Sequence, residues 1–506
     1  MKEEKEEFSD LLELYKDIIN FKEDVLQLNG FTKKEEEKIN DQKMFVISEA
    51  LKENCYINEI NLWKNNFGPK GISYLSEALK INSSLKGISL RENKIGEESI
   101  KYLSESLKVN SSLEIIDLGD NKIDNNAMKH LSESLKINKS LNKICLWLNN
   151  IRDKGIYYLS EALKTNSSLI EIDLSLNYIG NKGIEHISEI LITNSSLREI
   201  NLKDNDIQSM AMKDLSESLK INCSLKSIYL QKNKIGKEGI KYLSEGLKIN
   251  SCLERIEISN NKIENEGIKY LSETLKENST LKEINLAENN IGDEGIKYLS
   301  DSLKINTSLI KINISFNQFG DEGMLYLSES LKNNFSLKSL HISGCVKIGN
   351  FAYLNFFESL KQNSSLQEID IEVYKNGDNI PLKPIYDSLK VNRSITKISL
   401  PKNIEKNSKK LIKSIVDCNI QWNLEDHLNF PKSFKDAAFC FVCCSKQIEK
   451  GLKFKIGKYL IYEILKMVDR KTFLKFQYHD LFLELEEETC SYKENSNFRK
   501  RKHQFK

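Results

Sequence analysis

Three cysteines near the C-terminus, Cys440, Cys443 and Cys444, form the densest group of metal-binding side chains in this 506-residue chain. A Cys-x-x-Cys pair supplies two thiolates to zinc, whereas a closed structural site needs four ligands. His427, His479 and Cys490 are the residues that would have to complete it. The thiols alternate with Phe439, Phe441 and Val442, a setting of packed core cysteines, so no metal is expected. Phosphate chemistry is equally incomplete. Lys455-Ile456-Gly457-Lys458 lacks the first glycine and the magnesium-holding hydroxyl of a nucleotide-binding loop. No His-Glu-x-x-His or Gly-x-Ser-x-Gly string occurs, and the six histidines lie in no nucleophile setting. The expectation is a non-enzymatic protein with no cofactor.

Recognition chemistry is better supplied. Trp63 and Trp147 are two of only three tryptophans, and they share one position of a repeated frame, with Tyr229 two places earlier in a later copy. Large aromatics held on a rigid support are typical protein-interface anchors, although each can instead pack on its neighbours. The same positions carry Asp117, Asp173 and Glu257 beside Arg91. We take Trp63, Arg91, Asp117, Trp147, Asp173, Tyr229 and Glu257 as the candidate partner-binding residues, acting by burial and charge pairing. With Glu59, Glu171, Glu199 and Glu283 added to those three acids, and Lys143, Lys203, Arg255 and Lys311 added to Arg91, seven acids face five bases on this surface. A phosphate-tracking groove needs a basic excess. A protein partner of mixed charge fits better, with no nucleic acid.

What must position these residues is a repeat. Ten asparagines, from Asn65 through Asn93 and Asn121 to Asn317, stand 28 residues apart without slippage. Around each lies one frame, as in Leu85-x-x-Ile88-x-Leu90-x-x-Asn93-x-Ile95. Its first half alternates apolar and polar residues at the two-residue period of a half-buried strand. Asn93 then turns the chain, and its amide can both donate and accept to backbone that the turn would bury. The second half, as in Ile72, Leu75 and Leu79, makes one apolar helical stripe. A second periodic asparagine (Asn82, Asn110, Asn138, Asn166, Asn194) follows each helix, where left-handed geometry is expected to end it. One strand and one helix cannot bury their apolar sides alone, so the copies must stack.

The Leu-x-x-Ile-x-Leu-x-x-Asn frame, with a full helix in each copy, resembles the ribonuclease-inhibitor-like subfamily of leucine-rich-repeat proteins. The resemblance covers roughly residues 41–404. It implies an α/β solenoid, a curved horseshoe with parallel strands on its concave face, helices on its convex face, and helical segments at both ends. It also implies a scaffold that binds a protein partner through the concave face. Related repeats occur in GTPase-activating proteins of the Ran type, which act on a small GTPase and usually carry a strongly acidic stretch; here Glu484–Glu488 is brief and the end is basic. Residues 431–470 form two helical patterns that either cap the array or resemble F-box-like or SOCS-box-like segments. The latter would make the chain a substrate receptor docked on a ubiquitin-ligase scaffold, but Gly457 stands where such boxes usually carry proline.

Three segments are therefore expected: a charged helical cap over 1–40, an array of about thirteen copies over 41–404 with irregular last copies, and a helical module over 405–506. A net charge of +2 gives no global field for nucleic acid or an anionic membrane. No apolar run reaches about 18 residues, and the acidic start lacks a signal-peptide core, so a cytoplasmic, reducing setting is expected. Arg499-Lys500-Arg501-Lys502 offers a nuclear import signal. Asn-x-Ser/Thr sequons recur at Asn82, Asn110, Asn166, Asn194, Asn278 and Asn363, and look like by-products of the helix-ending asparagine.

Overall fold

Each copy of the frame becomes a three-residue strand followed by a helix. The computed structural model describes residues 2–30, 33–34, 37–345, 347–372 and 382–399, with 412, 413 and 416 beyond them. The chain divides into two units, Met1–Asn317 and Gln318–Lys506. The first holds β1 (Val25–Gln27), β2 (Glu59–Asn61), β3 (Gly87–Ser89), β4 (Ile115–Asp117), β5 (Lys143–Cys145), β6 (Glu171–Asp173), β7 (Glu199–Asn201), β8 (Ser227–Tyr229), β9 (Arg255–Glu257), β10 (Glu283–Asn285) and β11 (Lys311–Asn313). They pair in sequence order, all parallel. From β2 onward the register is one repeat per strand, as in Ile60↔Ile88 and Ile88↔Ile116. Leu85, Ile88 and Leu90 and their equivalents point inward and are buried.

The turn after each strand differs from expectation. Left-handed geometry falls on the residue before each ladder asparagine, with Lys64, Glu92, Asp120, Leu148 and their equivalents at φ between 51° and 59°. The helix-ending asparagines are extended instead, as at Asn194 (φ −81°, ψ 127°). Left-handed backbone costs a non-glycine residue about 1–2 kcal/mol. The ladder asparagine offsets this. Asn93 donates Nδ2 to the carbonyls of Leu62, Leu90 and Arg91 at 3.0 Å, and its Oδ1 accepts from Asn65 N at 2.9 Å. Buried backbone groups are thereby paired both within a copy and across to the previous one.

Helices of 11 to 14 residues, such as Glu97–Leu107 and Gly236–Ile249, form the second layer of this unit. Several of their N-termini are capped across copies. Asn125 Oδ1 accepts from Arg152 N at 3.0 Å and Gly155 N at 2.9 Å, satisfying orphan donors that local residues leave open. Small residues set the helix spacing. A Cβ on Gly246 would lie 2.6 Å from Ser216 O, and a column including Ser76, Ser104, Ser132 and Ser216 buries its hydroxyls without partners.

The first 40 residues depart from the all-helical expectation. After the helix Lys2–Ile19 the chain enters β1, whose Leu26 pairs with Ile60 and is buried. Leu26 and Leu28 repeat the frame's apolar alternation 34 residues before Ile60 and Leu62, a spacing that hid the strand. The sheet therefore begins one strand earlier than the half-repeat at 41. In the second unit β12 (Ser339–His341), β13 (Glu368–Asp370) and β14 (Lys397–Ser399) pair in order at 29-residue spacing. Cys345 is buried there in the ladder position. Of residues 405–506, including the cysteines at 440–444, the helical patterns of 431–470 and the basic tail, all but 412, 413 and 416 lie outside the described residues.

Candidate functional site

A three-residue strand with its middle residue in the core turns the first and third residues outward. The frame's seventh residue follows, just before the left-handed turn. All seven candidate residues lie half-buried on this open strand face of the first unit. Five of them are grouped over β2 to β6, and Tyr229 and Glu257 sit apart on β8 and β9.

The first group is organised by Arg91. Its guanidinium carbon lies 4.8 Å from the Trp63 ring centre and 4.3 Å from that of Trp147, so the cation is held between two indoles. Trp147 belongs to a copy two repeats from Arg91, and the intervening copy carries Gly119 in the same position. A Cβ there would lie 2.1 Å from Trp147 Nε1, so the indole reaches Arg91 across a place that only glycine leaves open. Glu92 completes the arrangement from the turn. Its Oε1 accepts from Trp63 Nε1 at 2.8 Å and lies 3.3 Å from Arg91 Nη2, while Lys64 stands 3.5 Å from its other oxygen. Each cation–π contact contributes about 0.5–2 kcal/mol as water is excluded.

Beside the stack, Asp117, Cys145 and Asp173 lie in register on β4, β5 and β6. Burial raises the Asp117 carboxyl above its ordinary range, against the Gly119 N–H it accepts at 2.9 Å and the nearby Arg91. Burial, with Asp117 and Asp173 adding to it, pushes the Cys145 thiol up to about 12, which keeps it protonated and unreactive at neutral pH. Asp173 accepts from Ser175 N at 2.9 Å and Ser175 Oγ at 2.6 Å.

The second group is polar. Arg255 donates to Tyr229 Oη at 3.3 Å and pairs with Glu283 at 2.6 Å. Burial raises both the Tyr229 hydroxyl and the Glu257 carboxyl, with Arg255 opposing the first and Asn285 the second. Lys143 is likewise taken up by Glu171 at 2.6 Å. Gly119 and Arg255 belong to the outward positions but not to the candidate set, and Glu92 lies outside those positions altogether. The signal for Gly119 was present as a glycine between two large residues of one column, whereas nothing local marks Glu92. Among the described residues no group of three or more His, Cys, Asp or Glu is arranged to hold a metal ion, and no helix is long and apolar enough to cross a membrane.

Seven segments match the family model described as Leucine Rich repeat: 109–132, 165–188, 193–216, 222–244, 250–272, 277–300 and 306–328. No curated protein matches the chain. Among solved structures, an internalin from Listeria monocytogenes is similar at 18% identity and a TM-score of 0.42, over 71% of this chain and 89% of that one. A yeast structure of the Rad7 and Elc1 complex is similar at 16% identity and 0.42, over 68% and 82%. Leiomodin-1 actin-binding site 2 is similar at 18% identity and 0.28, over 30% and 89%. What those proteins bind does not transfer to this chain.

Proposed function

We propose that this chain, a leucine-rich-repeat protein, binds a protein partner across its open strand face and carries no catalytic residue of its own. We place it with the ribonuclease-inhibitor-like repeats, on the support of the 28-residue period and the full helix of every regular copy. Its contact centre is Trp63, Arg91, Asp117, Trp147 and Asp173, with Tyr229 and Glu257 as a second contact set.

The observation that carries this reading is the Trp63–Arg91–Trp147 stack seated over Gly119. Tryptophan, arginine and tyrosine dominate interface energetics when they stand in a desolvated centre. Side chains already ordered by the fold lose little conformational freedom on binding, a saving of about 0.5–1.5 kcal/mol for each one otherwise immobilised. The acids beside the stack and the lateral pairs Lys143–Glu171 and Arg255–Glu283 suit a partner of mixed charge with an apolar contact. The face lacks the basic excess that nucleic acid requires. No observation among the described residues favours the small-GTPase or ubiquitin-ligase reading, and a cytoplasmic setting is part of this proposal.

The test is affinity capture from native extract with the wild-type chain and with Trp63→Ala/Trp147→Ala/Tyr229→Ala. Loss of a captured protein, with the circular dichroism spectrum unchanged, is the expected result. Equal capture by both would mean that the face is a passive wall.

A further inference from the structure

The helix-ending asparagines do more than stop helices. Asn110 donates Nδ2 to the carbonyls of Leu79 at 2.8 Å and Asn82 at 3.3 Å, both in the preceding copy. Its Oδ1 accepts from Ser112 N at 3.1 Å and Leu113 N at 2.8 Å. Asn166 repeats the set with Leu135 O at 2.8 Å and Asn138 O at 3.1 Å. Asn278 does so with Leu247 O at 2.7 Å and Asn250 O at 3.2 Å. All three are buried. This second asparagine column ties each copy to the one before it, at the opposite end of the helix from the turn ladder. Most of its members head an Asn-x-Ser/Thr sequon, including Asn138-Lys139-Ser140 and Asn306-Thr307-Ser308.

Glycosylation of a sequon acts on the same nitrogen. Nδ2 bonds to the anomeric carbon of a lipid-pyrophosphate-linked oligosaccharide, one N–H proton leaves, and lipid pyrophosphate departs. One of the two donors is lost, and a bulky polar group is fixed to an atom that the fold buries against backbone. We propose that N-glycosylation and this fold exclude each other. The array reaches its native state only where its sequons meet no oligosaccharyl transferase, so its working compartment lies outside the glycosylating lumen. A chain of near-identical copies makes the exclusion steep. A glycan on any one sequon interrupts the stacking of nearest neighbours on which a repeat array depends.

The experiment compares the full chain made without a leader and the same chain carrying an appended signal peptide, the latter with and without an inhibitor of lipid-linked oligosaccharide synthesis. The readouts are glycan-dependent mobility and a protease-resistant core. The leaderless chain is expected to be resistant. The signal-bearing chain is expected to gain glycans and lose the resistant core, and the inhibitor to restore it. A parallel variant replaces the hydroxyl residue two positions after each sequon asparagine by alanine. It keeps the Asn hydrogen bonds to backbone carbonyls and N–H groups and gives up only hydroxyl contacts, such as Asn110 Nδ2 to Ser112 Oγ at 3.2 Å and Ser84 Oγ to Asn82 Oδ1 at 3.3 Å. It should fold in both settings. A glycosylated chain with an intact resistant core would overturn the proposal. So would a signal-bearing chain with its sequons intact that, without the inhibitor, stays unmodified and folds in the lumen, or failure of the inhibitor to restore the core.

Discussion

The strand face carries two clusters on one backbone. Over β2 to β5 the seventh positions read Trp63, Arg91, Gly119 and Trp147, and an indole spans two repeats to stack on a cation. Over β8 to β10 the scaffold is the same, yet Tyr229, Arg255 and Glu283 form a short polar chain with no aromatic stack. The turn residues before Asn93 and Asn233 share a φ of 56°, so backbone geometry does not explain the contrast. It comes from side-chain size in one column. A glycine flanked by two large residues makes an aromatic anchor, and small residues in a row leave charges to pair along the sheet. The repeat thus separates the supporting frame from the outward side chains.

If the support is equal in both regions, removing a ladder asparagine should cost the same in each. Asn93→Ala and Asn233→Ala each strip donors from two inward carbonyls at 3.0 Å. Each also strips the acceptor of a neighbouring backbone N–H. We expect about 2–4 kcal/mol of destabilisation for either, measured by chemical denaturation. A difference between them as large as the effect itself would break the comparison.

The next effect separates the regions. Gly119→Val places a side chain where Trp147 lies and should force the indole off Arg91, weakening partner capture about tenfold at a stability cost of about 1–3 kcal/mol. Ser259→Val, at the same frame position where the next copy carries Ala287, should leave capture unchanged. Equal loss in both would remove the special standing of the stack.

The smallest effect is electrostatic and common to both regions. Burial raises the carboxyls of Asp117 and Glu257, so the folded chain binds protons more readily at these sites than the unfolded one. Each ionised group therefore costs stability above its raised pKa. That cost fades as pH falls through the raised value toward the ordinary carboxylate value, and is gone below it. Asp117→Asn and Glu257→Gln should each stabilise the fold modestly at neutral pH. Denaturation midpoints from neutral to acidic pH should show the gain shrink, and a gain that grows on acidification would reverse the assignment.

Strand, turn and helix were legible in the sequence because their causes are local and repeat every 28 residues: alternation at Ile88 and Leu90, an amide at Asn93, a stripe at Ile72, Leu75 and Leu79. Which residues face outward followed from the same alternation, and Trp63, Arg91 and Trp147 were marked by it. Three features were not legible. β1 is hidden by a 34-residue offset, left-handed backbone falls at the turn and not at the helix end, and the second asparagine bridges copies as well as ending a helix. Their causes lie in the partner strand or the preceding copy.

The sequence by itself determined the period, the core and the set of outward residues, since each rests on side chains a few positions apart. Tertiary structure decided which of those residues meet. Trp147 reaches Arg91 only because stacking brings copies 56 residues apart into one column and because Gly119 has no Cβ to fill the space between them. The physical reason is that contact across a stacked array depends on volume left empty by a third residue, which no local pattern contains.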